Sequence, residues 1–122
     1  MLLKYVLAAA FIAVSAAPAL AETCVEPIAP SAVDGTTASK DKINQARDDT
    51  VRYIKQSDEY QTCLFADLKA QKMEAVKNKK TFPASIEDGV NERVKANQDR
   101  KEKVGAEYNA AAVAFKKLHP EG

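Results

Sequence analysis

A chain of 122 residues with two cysteines, one histidine and no tryptophan is at most one small domain. Its 18 basic and 17 acidic side chains nearly cancel. That balance argues against a protein held to nucleic acid or to a lipid surface by excess positive charge.

Residues 1–21 have the three parts of a cleavable signal peptide. Lys4 is the only charge before Glu22, Val6 to Ala17 is apolar or small throughout, and Ala19-Leu20-Ala21 is a small-x-small triplet. The expected cut follows Ala21 and leaves residues 22–122. The leader takes Lys4 and no acid with it, so the mature chain is formally neutral at seventeen against seventeen. The apolar stretch from Tyr5 to Ala21 is short, rich in alanine and carries Pro18 near its end, whereas a membrane anchor wants about 20 strongly apolar residues. Lipid attachment at Cys24 is the alternative, but Glu22 and Thr23 depart from the Leu-small-small-Cys pattern it requires. A periplasmic or secreted location is expected, with no stable membrane anchor after cleavage.

Residues 22–38 read as an irregular arm, because Pro27 and Pro30 deny helix. Asp34-Gly35 reads as a turn, and Thr36, Thr37 and Ser39 are candidate helix caps. In an oxidising compartment Cys24 and Cys63 have only each other to pair with, which predicts one disulfide. Chain entropy sets its contribution at about 4 kcal/mol. Two cysteines this far apart are not a redox Cys-x-x-Cys motif.

From Ser39 to Asn78 the chain has neither proline nor glycine. Apolar or small residues recur at helical spacing: Ile43, Ala46, Thr50, Val51, Ile54, Tyr60, Leu64, Phe65, Leu68, Ala75 and Val76. Ile43, Ile54, Phe65 and Val76 are eleven apart, which predicts one shared face. Asp48 with Arg52, and Lys55 with Glu59, are expected ion pairs on the wet side. Lys77, Lys79 and Lys80 suit a helix C-terminus, and a phosphate-contact site is the less favoured reading of them. Pro83 then punctuates the chain, and Ser85 before Glu87 and Asp88 reads as a new start.

The second helix, expected from Ser85 to Leu118, carries a heptad seam. Val90, Asn97, Val104, Ala111 and Leu118 hold one position; Val94, Lys101, Tyr108 and Phe115 hold the other. Asn97 is read as locally exposed, with the Lys101 stem lying across the seam. A buried asparagine that sets register is the alternative. Gly89 is expected to permit a close approach by the arm or the first helix.

These readings give an all-α fold: a long antiparallel helical hairpin over residues 39–122, with an irregular N-terminal arm stapled by Cys24 and Cys63. Val25, Ile28 and Val33 are expected to pack the arm onto the helices. Chemistry is sparse. His119 stands alone near the end of the chain, so no Ser-His-Asp set can be built. No Gly-rich phosphate loop and no metal-binding motif occurs, so neither cofactor nor metal is expected. The neighbours Glu87-Asp88 and Asp48-Asp49 diverge by about 100° on a helix and do not converge on a substrate. Asp41, Asp48, Asp49 and Asp58 read as a solvated face.

The order Cys24, Pro27, Pro30, Asp34-Gly35, a long polar helix, then Tyr60-Gln61-Thr62-Cys63-Leu64 resembles small, uncharacterised exported helical proteins of proteobacteria. The resemblance covers about half of the mature chain. It implies an envelope location and the Cys24–Cys63 bond, and it carries no activity. The gross plan is also that of periplasmic helical chaperones, without their repeats or basic surfaces. The functional expectation is a non-enzymatic protein that acts through a protein partner or as a homodimer. Its candidate stripe is Val90, Val94, Val104, Tyr108, Phe115, Ile54 and Leu64. The alternative is a small-ligand module with a strip at Tyr53 and Tyr60 between arm and hairpin.

Overall fold

The structure is a computed structural model that describes residues 24–121. The signal peptide read at 1–21 lies outside the described residues. Two helices, α1 (Lys40–Lys77) and α2 (Ala84–Leu118), pack against each other, and the described residues contain no strand. An irregular arm precedes them, and its Cys24 is bonded to Cys63 in α1. The Cys24 sulfur is therefore not free to carry a thioether lipid.

α1 starts where Ser39 takes up an extended backbone and its hydroxyl accepts from the Lys42 N–H at 3.2 Å. Thr36 serves the preceding turn instead. Its hydroxyl and its N–H donate to the Asp34 carboxylate at 2.7 and 2.9 Å. Those two bonds hold the Asp34 carboxyl below its ordinary value of 3.8. The folded value is the lower one, so their stabilisation is present at neutral pH and lost as the pH falls through it.

α1 ends without glycine. The Lys80 N–H reaches the Ala75 carbonyl at 2.9 Å and the Lys79 N–H reaches Val76 at 3.1 Å, the two bonds of a Schellman cap. Lys79 sits in the left-handed region at φ 52, where a lysine is strained. α2 starts at Ala84, directly after Pro83, with no side-chain cap, so Ser85 lies inside the helix and not at its cap. At the far end the His119 N–H donates to the Phe115 carbonyl, and the imidazole stacks on the Phe115 ring at 4.2 Å.

The seam follows a seven-residue repeat on both helices. On α1, Ile43, Thr50, Ser57 and Leu64 are buried, with Tyr53, Tyr60 and Leu68 beside them. On α2, Val90, Asn97, Val104, Ala111 and Phe115 are buried, while Leu118 is exposed. The eleven-residue face read on α1 does not hold together: Ile43 is buried, Ile54 half-buried, and Phe65 and Val76 exposed. A step of eleven rotates by about 20° one way and a step of seven by about 20° the other. Packing selects the seven-residue line, and the other line drifts out of the seam.

Two apolar clusters result. Tyr60, Leu64, Leu68 and Val90 join Cys24 towards the hairpin loop, and Ile43, Ala111 and Phe115 join Val33 and Ala38 near the open end. Between them lies a polar layer. Asn97 is 0% exposed, which corrects its reading as locally exposed. Its Oδ1 accepts from Gln61 at 2.8 Å and its Nδ2 reaches the Ser57 hydroxyl at 3.4 Å. Lys101 does lie across the seam edge, half-buried, with its ammonium on Asp58.

The arm is pinned at three places: the disulfide, an Arg100–Glu26 pair, and Gly35. A methyl group on Gly35 would come within 2.0 Å of the Ala111 carbonyl oxygen, so only glycine permits this approach to α2. Gly89 has open space around it and does not play the close-packing part expected of it. Val33 packs against the open-end cluster, whereas Val25 and Ile28 are 77% and 93% exposed. Two-face alternation does not account for this, since Val25 and Ile28, three apart, would face opposite sides and both are exposed; burial follows where the disulfide and the Gly35 contact hold the arm. The wet-side pairing also differs: Arg52 pairs with Asp49, Asp48 with Arg47, and Lys55–Glu59 is not among the ion pairs formed.

Two variants test this description by chemical denaturation. Gly35→Ala forces the arm off Ala111 and is expected to cost about 1–3 kcal/mol. Lys79→Gly relieves the left-handed residue and is expected to add up to about 1 kcal/mol.

Candidate functional site

The stripe read from the sequence lies largely inside the hairpin. Leu64, Val90, Val104 and Phe115 are buried core residues, and Ile54, Val94 and Tyr108 are half-buried at its margin. In the folded chain these side chains serve α1–α2 packing. Tyr53 and Tyr60 are also buried. The Tyr60 hydroxyl accepts from Arg93 Nε at 3.2 Å, and the guanidinium stands 5.7 Å from the ring centre. The Tyr53 hydroxyl has no hydrogen-bond partner among the described residues.

A different apolar surface is exposed. Phe65, Met73 and Val76 on the loop-proximal half of α1 are 49%, 63% and 77% exposed. At about 100° per residue, they share one flank of the helix with Lys69 and Lys72. These side chains, with Leu68 and Lys77, line a groove of about 540 Å³. Lys72 reaches across to Glu87 on α2 at 2.6 Å and stands 5.9 Å from the Phe82 ring centre. Lys69 and Lys77 enter none of the ion pairs formed among the described residues. The nearby acids Asp67 and Glu74 fall on the far flank of α1 and are bonded there to Gln71 and Asn78. The strip is thus apolar with a purely cationic margin on its own helix.

The opposite flank of α1 carries the arm. One cavity of about 320 Å³ lies between the arm and both helices, with Thr50, Val104, Tyr108 and Ala111 beneath Pro30 and Val33. A second lies beside the disulfide, where Val25 and Ile28 face Arg52, Gln56 and Tyr60. Tyr60 therefore borders an arm-side cavity, and Tyr53 borders neither. Among the described residues no group of histidine, cysteine or acidic side chains is placed to hold a metal ion. No helix among them is long and apolar enough to cross a membrane.

Met73 drew no attention in the sequence, and Phe65 and Val76 read there as core. The signal that could have separated them is the conflict between the eleven- and seven-residue lines. Comparison of the chain with protein-family models, with curated proteins and with solved structures finds no match.

Strip and seam are separable by mutation. Phe65→Ser is expected to change stability by less than about 0.5 kcal/mol, because it alters surface. Val104→Asp buries an unpaired carboxylate and is expected to cost more than about 3 kcal/mol or to prevent folding. Thermal melts followed by circular dichroism measure both.

Proposed function

We propose that this chain is a non-enzymatic, exported module, periplasmic or secreted, that acts by binding another protein. The observation that carries this reading is the strip Phe65, Met73 and Val76, left exposed by a fold whose seam is already filled. Solvated apolar side chains gathered on one helix flank, with charges at the margin, are the usual composition of a docking surface. Export is supported by the signal-peptide pattern of residues 1–21 and by the Cys24–Cys63 bond, which persists in oxidising compartments. That the lone His119 leaves no Ser-His-Asp set to build, and that the neighbouring carboxylates Asp48-Asp49 and Glu87-Asp88 diverge on their helices, supports a non-enzymatic role.

A second reading, small-ligand binding, is favoured by the cavity between arm and hairpin at Thr50 and Tyr108. It places the ligand under the arm and away from the exposed strip.

Native, non-reducing mass spectrometry of the protein isolated from the cell envelope tests both. The expected species begins at Glu22, is two hydrogens lighter than the reduced chain, and is bound to a second protein. Replacing Phe65 and Val76 together with serine is expected to abolish that complex. A bare monomer from both forms would overturn the interaction reading. A monomer retaining a small molecule would replace it with the second one.

A further inference from the structure

We infer that the occupant of the strip is an acidic amphipathic helix of another protein, laid along α1 as a third helix. The inference rests on the interaction reading and specifies the partner's chemistry.

The groove has the form that receives a helix. Its lining contains two complete diamonds of positions i, i+3, i+4 and i+7: Phe65, Leu68, Lys69, Lys72, and then Lys69, Lys72, Met73, Val76. Four such residues make the hole into which a side chain of a neighbouring helix inserts. The two holes share the Lys69–Lys72 edge and lie about one turn apart. A partner helix with two apolar knobs spaced by three or four residues fills both. Leu68, on the floor, belongs to the loop-side core cluster, so an inserted knob would extend the hydrophobic core of the hairpin.

Charge selects the partner. Lys69 and Lys77 stand at the margin without ion-pair partners, and the acids of this stretch of α1 point to the other flank. A helix with carboxylates beside its apolar seam satisfies both lysines; one with basic flanks is repelled. A second copy of the chain is disfavoured by the same charges. Packed antiparallel about the strip's centre, Lys69 of each copy meets Lys72 of the other, whose carboxylate partner Glu87 is already engaged. Packed parallel, each lysine meets its own copy. A lipid surface is also anionic, but the strip offers it only three large exposed apolar side chains, Phe65, Met73 and Val76. A helix that lies in a lipid interface presents a longer continuous apolar face.

The test uses the oxidised mature protein and two fluorescent helical peptides of about six turns with identical leucine seams. One peptide carries glutamate on both flanks of the seam and the other carries lysine. Anisotropy titration is expected to give at least about tenfold tighter binding of the glutamate peptide, weakening with added salt. Phe65→Ser with Val76→Ser is expected to lose about tenfold, and Lys69→Glu with Lys77→Glu to reverse the preference between peptides. These positions are exposed, and an unchanged melting temperature verifies folding. Equal binding of both peptides would overturn the acidic partner and leave the interaction reading standing. Binding of neither peptide would overturn both, and binding only to phosphatidylcholine vesicles containing phosphatidylglycerol would assign the strip to a lipid surface.

Discussion

Two helices lying side by side cover only one stripe of each other, and the rest of this structure follows from that constraint. Among the described residues there is no third helix, and bulky apolar side chains are few. The chain covers one flank of the α1–α2 groove with an extended arm instead. The arm holds because it is fixed covalently at Cys24 and sterically at Gly35, with the Arg100–Glu26 pair between. A loop closed across 39 positions removes much of the unfolded chain's freedom, so the staple does part of the work that a larger core would do. The other flank has no such cover among the described residues, and there Phe65, Met73 and Val76 are exposed.

The middle of the seam is polar, and this has consequences for precision more than for strength. Buried Asn97 satisfies its amide against Gln61 and Ser57, three groups on opposite helices that meet in only one alignment. Sliding one helix past the other by a turn would bury these groups without partners, at about 1–3 kcal/mol for each. An all-leucine seam would be more stable and less particular about its register. Because the arm bonds to Cys63 and rests on Ala111, residues of different helices, register also decides whether the arm fits. The polar layer and the staple therefore support the same alignment. The strip adjoins this aligned seam, since Leu68 forms part of both the loop-side core cluster and the groove lining.

The division of labour between the flanks bears on function. Residues read as a partner-binding stripe are consumed by folding, and the apolar residues left exposed include two, Phe65 and Val76, that read as core. Seam and strip lie on the same helix, where a shift of one position, Leu64 to Phe65, moves a side chain by about 100° from interior to surface. The two arm-side cavities and the exposed strip lie on opposite flanks of α1.

By itself the sequence determined the element types, their approximate ends and the disulfide. Those depend on local or compositional facts: proline before residue 31, an uninterrupted helical period from Ser39 to Asn78, Pro83 between two helical runs, and just two cysteines. The α2 seam was legible as well, because an unbroken four-three spacing admits one helix face. α1 was not, because its apolar residues fit two lines that drift in opposite directions, and only contact with α2 chose between them. The burial of Asn97, the outward turn of Val25 and Ile28, and the exposure of Phe65 and Val76 were likewise decided by tertiary structure. The reason is the same in each case: local sequence sets which way a side chain points relative to its own backbone, whereas burial depends on what another part of the chain places in front of it.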